Sequence, residues 1–113
     1  MVTKQTLRIY EGDSDTLTIT IGTGTTDITN YTVYFTVKSN IDDTDAQAII
    51  NKDIISHSDP LVGETQISIL PADTKDETPG NYVYDIRYDD GTGAITTILN
   101  GTFKITQAVG DLD

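Results

Sequence analysis

Apolar and polar residues alternate with a period of two along most of this chain. Leu17, Ile19 and Ile21 alternate with three threonines, so that a strand here has one aliphatic face and one hydroxyl face. The segment 31–38 repeats the pattern, with Tyr31, Val33, Phe35 and Val37 on one face and threonine, tyrosine and lysine on the other. Because this second run has the cleanest alternation, it is predicted to be a central strand.

Shorter runs supply further elements. A short first strand is predicted at 7–10, and another at 65–70 with Ile67 and Ile69 inward, ended by Pro71. The segment 71–78 is compatible with one helical turn. In 46–55 apolar residues occur at both even-numbered and odd-numbered positions. This fits a bulged strand, a strand covered on both faces, or a short helix.

The last two runs form the C-terminal part of the pattern. In the first, Tyr82, Tyr84, Ile86 and Tyr88 share one face, and Asp85 is expected to point outward. In the second, Asn100-Gly101 would fit a two-residue hairpin, but a continuous strand is preferred, kinked or bulged at that dipeptide. Its inward face would then carry Ile95, Thr97, Leu99, Gly101, Phe103 and Ile105, with Ile98 on the opposite face.

These runs amount to about seven strands separated by turn residues, which is typical of an immunoglobulin-like sandwich. The chain has 113 residues and is 36% hydrophobic, enough for one two-layer core. The predicted fold is therefore an all-β, immunoglobulin-like antiparallel β-sandwich forming a single domain over residues 1–113.

The stretch "TPGNYVYDI" is typical of a tyrosine corner, in which a tyrosine near the start of the sixth strand bonds to the backbone a few residues upstream. Pro79 fixes φ and Gly80 permits positive φ, which shapes the approach to the strand. Tyr82 is predicted to supply the hydroxyl, because a buried phenol needs a hydrogen-bond partner.

A candidate partner-docking face follows from placing the strands that begin near 31, 81 and 94 side by side. Tyr34, Val83 and Ile98 would then project outward among threonines, with Asp85 beside Val83. Isolated exposed apolar residues are also common on protein surfaces, so both interpretations stay open.

Charge narrows the classes of partner. With 18 acidic and 7 basic residues the net charge is −11, which repels nucleic acid and anionic membranes. The absence of cysteine excludes disulfides and thiol-based sites. The first residues lack the apolar core of a signal peptide and no run is long enough to span a membrane, so synthesis and folding in the cytoplasm are expected.

Candidate chemistry is sparse. The acidic loops at 13–15, 42–45 and 89–90 could hold calcium, but they lack the glycine and distal glutamate of an EF-hand loop, and solvated turns are expected. His57 is the single histidine and is predicted to lie in a loop. We therefore expect no catalytic residue, no cofactor, no metal and no small-molecule substrate.

The order of features "FTVKSN", "AIINKDI", "ISILPADTKDETPGNYVYDIRY" and "TTILNGTFKIT" resembles the N-terminal domain of phage baseplate upper proteins over about residues 31–106. The resemblance implies an immunoglobulin-like virion module, assembled in the host cytoplasm, that docks onto other phage structural proteins, with a homo-oligomer as a further expectation. It implies no catalytic residue and no cofactor. The alternatives are a capsid decoration protein and an adhesin or carbohydrate-binding sandwich.

Overall fold

A computed structural model describes residues 3–108, with side chains except those of residues 3, 4 and 45. Most of the regular elements in this range are strands, and they are accompanied by one short α-helix and two 3-10 turns at Asp45–Gln47 and Pro60–Val62. The elements are β1 (Thr3–Lys4), β2 (Leu7–Tyr10), β3 (Asp15–Thr20), β4 (Thr32–Lys38), β5 (Ile50–Ile54), β6 (Glu64–Ile69), α1 (Pro71–Thr74), β7 (Gly80–Asp89) and β8 (Ile95–Thr106).

The strands form two sheets. The larger has the order β1-β8-β7-β4-β5, with β2 also paired to β8, and the smaller consists of β3 and β6. The predicted neighbours 31–38, 82–88 and 94–105 therefore do lie side by side, as β4, β7 and β8. The all-β, immunoglobulin-like sandwich predicted from the alternation is confirmed. The ambiguous segment 46–55 begins inside the first 3-10 turn and continues into β5.

The residues predicted to point inward from the alternation of apolar and polar positions form the core between the sheets. Val33, Phe35 and Val37 of β4 are buried, as are Ile67 and Ile69 of β6. At the centre, the Phe35 ring lies 6.1 Å from the ring centroids of both Tyr84 and Phe103, in tilted arrangements that aromatic pairs favour.

The N-terminal segment pairs with the C-terminal strand rather than with β3. β1 and β2 are both parallel to β8 and in one common register, Thr3 opposite Leu99 and Leu7 opposite Phe103. The backbone between them is held by two hydrogen bonds, from Gln5 N to the Asn100 carbonyl (2.9 Å) and from the Tyr84 hydroxyl to the Gln5 carbonyl (2.7 Å). The remaining strand pairs are antiparallel.

The register of β8 against β7 departs from the sequence prediction. Ile86 lies opposite Leu99 and Arg87 opposite Thr97, so Ile98 is an extra residue on β8. The strand is continuous, as predicted, but its bulge lies at Ile98 and not at Asn100-Gly101. Because one extra residue reverses the alternation upstream of it, the prediction that Ile95 and Thr97 share the inward face with Leu99 is wrong.

The helical turn predicted after Pro71 is present as α1, and it closes one side of the sandwich. The Asp73 carboxylate accepts a hydrogen bond from the Leu70 backbone N–H (2.8 Å). The same carboxylate forms an ion pair of 2.7 Å with Lys52 Nζ, which reaches over from β5 in the other sheet. This contact ties the edge of the larger sheet to the connection between β6 and β7.

Candidate docking face

Tyr82, in the corner between α1 and β7, makes the predicted hydrogen bond to the upstream backbone. Its side chain is buried, and its hydroxyl donates to the Thr78 carbonyl, four residues upstream, at 2.5 Å. Gly80 takes a φ of +153°, which glycine adopts readily, whereas the ring of the preceding residue, Pro79, fixes the φ of Pro79 itself. Burial raises the pKa of Tyr82, and the negative charge of Glu77 adds to this shift, so the phenol stays protonated as a donor. Pro79, Gly80 and Tyr82 thus form a structural corner whose polar group is already engaged.

His57 lies in the loop between β5 and β6, as predicted, and both of its ring nitrogens are engaged. Nε2 is 2.8 Å from the Tyr31 carbonyl oxygen, which can only accept, so Nε2 carries the proton. Nδ1 is hydrogen-bonded to the hydroxyl of the fully buried Thr65, also at 2.8 Å. The histidine therefore connects the loop between β5 and β6 to the backbone of Tyr31 and to Thr65 of β6.

The outer face of the larger sheet has two successive rows of side chains across its strands. One row runs Asp53, Tyr34, Arg87 in register across β5, β4 and β7. The next row consists of short polar side chains crossing four strands, namely Asn51, Thr36, Asp85 and Asn100. Since the side chains of the second row are shorter than Tyr34 and Arg87, the rows have unequal height.

The unequal heights leave a concavity of about 500 Å³ on this face. Its lining comprises both rows and several larger neighbours: Tyr34, Thr36, Lys38, Ile41, Asn51, Asp53, Val83, Tyr84, Asp85, Arg87, Ile95 and Asn100. The volume falls within the range of roughly 300–1,000 Å³ that is usual for binding clefts. Three of the four predicted face residues, Tyr34, Val83 and Asp85, thus meet around one depression.

The fourth predicted residue, Ile98, does not lie on this face. Because it occupies the bulge, its side chain packs against the hydrophobic core and does not line the concavity. Its place on the outer face belongs to Ile95, which is 44% exposed, and Ile41 in the β4–β5 connection adds a second exposed isoleucine. Strict alternation had put Ile95 inside, and no local signal in 94–105 marks the extra residue.

The charges of this face are balanced, unlike those of the whole chain. Two cations, Lys38 and Arg87, and two anions, Asp53 and Asp85, line the concavity, whereas the chain carries −11. Within residues 3–108, neither Arg87 nor Asp53 forms an ion pair, although Tyr34 alone separates them in the row. Both charges are therefore open to a partner.

A polar atom at the base of the concavity also lacks a partner. The Asn100 side-chain oxygen is buried, and the described residues give it no hydrogen bond. A buried acceptor without a donor costs about 1–3 kcal/mol, so a donor that reached this oxygen would bind favourably.

Two aspartates lie in internally hydrogen-bonded turns: Asp90, in one of the three acidic loops, and Asp27, outside them. The Asp27 and Asp90 carboxylates accept from the hydroxyl and backbone N–H of Thr29 and Thr92, and the side-chain bond is the main cause of a lowered pKa at both aspartates. In residues 3–108 no group of three acidic, histidine or cysteine side chains is arranged to hold a metal ion. None of the helices in that range has the length and apolar character needed to cross a membrane.

Comparison with known proteins supports the fold alone. No protein-family model and no curated protein matches the chain. Among solved structures, the chain is similar to the immunoglobulin-like domain of mouse leukocyte-associated immunoglobulin-like receptor 1, which was crystallised as a strand-swapped dimer. The TM-score is 0.51 at 18% identity, over 89% of this chain and 88% of that chain. The chain therefore has an immunoglobulin-like fold.

Proposed function

We propose that this chain is a structural module of a tailed-phage particle that docks onto other tail, baseplate or fibre proteins through the outer face of its larger sheet. The phage assignment rests on the sequence resemblance described above. The docking assignment rests on one observation, the charge-balanced concavity between the exposed Ile41 and Ile95 on a chain of net charge −11.

The charge balance matters because most of this surface repels an acidic partner. At the concavity, Arg87 and Lys38 offset the two aspartates, so that an acidic protein can approach there at lower electrostatic cost. Burial of the apolar surface of Ile41, Ile95 and Val83 against a partner would drive association. No chemical transformation is required of such a module, and we propose that it is neither an enzyme nor dependent on a cofactor.

The test is co-expression of the chain with the products of its neighbouring genes, with complexes measured by size-exclusion chromatography and light scattering. Ile95→Lys places a charge at the concavity and is expected to abolish a complex that the wild type forms. Ile55→Lys is the matched control, because Ile55 is 71% exposed and does not line the concavity. A complex that tolerates Ile95→Lys as well as Ile55→Lys would refute docking at this face.

A carbohydrate-binding module is the second candidate, favoured by the polar row. Amide, carboxylate and hydroxyl groups of Asn51, Thr36, Asp85 and Asn100 could bond to sugar hydroxyls, and Tyr34 offers an aromatic surface. Titration with a panel of neutral disaccharides, followed by NMR, would support this candidate if shifts appeared at these residues. Unchanged spectra throughout the panel would eliminate it.

A further inference from the structure

We propose that a second copy of this chain pairs with the free edge of β3, antiparallel and centred on Thr18, to make a continuous four-stranded sheet from the two smaller sheets. This inference is independent of the docking function, because β3 belongs to the opposite sheet. β3 is hydrogen-bonded to β6 on one side, and within residues 3–108 no strand lies on its other side. A pair of strands is a small sheet, and an unpaired edge is a template for a further strand.

The hydrogen bonds at the end of β3 determine which backbone groups face the free edge. Ile21 N donates to the Gly63 carbonyl at 2.8 Å, continuing the register in which Ile19 lies opposite Thr65. Since the backbone groups of successive residues point to opposite sides of a strand, Leu17 and Ile19 also bond toward β6. The N–H and C=O groups of Thr16, Thr18 and Thr20 therefore point to the free edge.

This edge lacks the features that usually prevent strand addition. Residues 16–20 contain no charge, proline or glycine, in a chain with 18 acidic residues. By contrast, β5 carries Lys52 and Asp53, and β2 carries Arg8. One internal contact is present, from Thr16 N–H to the exposed Asp15 carboxylate at 2.8 Å, and it leaves the edge groups of Thr18 and Thr20 available.

Apolar surface at this edge is incompletely covered. Leu17 and Ile19 point inward but are only half-buried, whereas Ile67 and Thr65, the residues opposite them on β6, are buried. A strand added beside β3 would cover the exposed sides of Leu17 and Ile19. The free edge of β6 gains no such coverage from a partner, because its inward residues are already enclosed.

The β3 sequence is complementary to a second copy of itself when the two strands pair antiparallel. With Thr18 on a two-fold axis, Leu17 lies opposite Ile19 of the second copy, and Thr16 lies opposite Thr20 of the second copy. Aliphatic residues then meet on the inner face and threonines meet on the outer face, which are favourable cross-strand pairs. The two Thr18 residues exchange both of their N–H···O=C bonds, so the contact is a closed two-fold interface.

A strand pair of this length buries less surface than the roughly 1,200 Å² of a stable interface, so a weak dimer is expected. Sedimentation equilibrium over a concentration series up to millimolar should show monomer and dimer. Hydrogen exchange should slow at the Thr18 and Thr20 amides as the concentration rises. A wild type that stays monomeric throughout this series would overturn the proposal.

Thr18→Pro is the principal variant. Proline deletes an N–H that faces the free edge and leaves the bonds to β6 intact, a position where edge strands tolerate proline. The variant loses both bonds on the two-fold axis and should dissociate at least about fivefold more readily. Thr18→Val, which keeps the N–H, is the control and should dimerise like the wild type. Equal dimerisation of the proline and valine variants would refute pairing at this edge.

A charge pair tests the register if the proline variant fails to fold. Thr18→Lys places two lysines opposite each other on the axis and should abolish the dimer, even though it lowers the net negative charge. The double variant Thr16→Lys with Thr20→Glu places opposite charges across the same interface and should retain the dimer. Loss of the dimer in the double variant, or its survival in Thr18→Lys, would contradict the two-fold register.

The same measurements separate this proposal from the docking function. Ile95→Lys alters the face of the other sheet and should leave self-association unchanged. Loss of self-association in Ile95→Lys would assign the dimer to the larger sheet and overturn pairing at β3.

Discussion

Gly101 is the residue of β8 on which the attachment of the N-terminal segment depends. Its φ is +149°, and a Cβ built on it would lie 2.4 Å from the Gln5 carbonyl oxygen. Gly80 provides a matched comparison, because its φ is +153° and a Cβ there meets nothing within 4 Å. The variants Gly101→Ala and Gly80→Ala therefore share the backbone strain and differ in the collision with Gln5.

The strain term is about 1–3 kcal/mol for either alanine, since L residues rarely adopt such a φ. In Gly101→Ala the backbone around Gln5 must also move. Displacing it breaks the bonds from Gln5 N to Asn100 (2.9 Å) and from the Tyr84 hydroxyl to Gln5 (2.7 Å). At about 0.5–1.5 kcal/mol per bond, the free energy of unfolding should fall by a further 1–3 kcal/mol or so relative to Gly80→Ala.

Urea unfolding of both variants and the wild type measures this difference, provided that the slope m is unchanged. Hydrogen exchange gives the location: amides of residues 7–10 should exchange faster in Gly101→Ala and at wild-type rates in Gly80→Ala. Equal loss of stability in the two variants, with equal exchange in β2, would show that the close approach of Gln5 does not hold the N-terminal segment.

Three further outcomes are expected. Tyr82→Phe should lower the free energy of unfolding by about 1–2 kcal/mol, because the Thr78 carbonyl loses its donor, as urea unfolding would show. Burial raises the pKa of both Tyr82 and Tyr84, so the folded chain retains phenol protons that the unfolded chain releases. The contribution of these two phenols to stability should then be fully present below about pH 10 and be lost as pH rises through the folded pKa values, with a shallower fall in Tyr82→Phe. Asp73→Ala should cost more than Lys52→Met in thermal melts. Both variants lose a partly exposed ion pair worth about 0–1 kcal/mol, but Asp73→Ala also removes the acceptor at the start of α1, worth about 1 kcal/mol.

Much of the fold could be predicted because strand burial has a local signature. In β4 and β7 the side chains of Val33, Phe35 and Ile86 alternate with polar neighbours, and a sheet with one wet face converts that period directly into inside and outside. The tyrosine corner was likewise recognisable from adjacent residues, since Tyr82 reaches a carbonyl only four positions upstream.

The residues of the candidate docking face could be predicted only in part. Tyr34, Val83 and Asp85 lie on strands with regular alternation, and they meet on one face as expected. Ile95 was missed and Ile98 misplaced because β8 carries apolar residues on both parities, so that two phases of the strand are equally compatible with its composition. A bulge selects between them, and its position depends on how β8 fits against β7.

The sequence by itself determined most of the strands, the buried faces of those with regular alternation and the corner at Tyr82, since these depend on residues that are neighbours along the chain. The tertiary structure decided the pairing of the N-terminal segment with β8, the register shift at Ile98 and the free edge of β3. Each of these is a relation between backbone segments far apart in sequence. Backbone hydrogen bonds are chemically the same at every position, so only the packing of the two sheets selects among the alternative pairings.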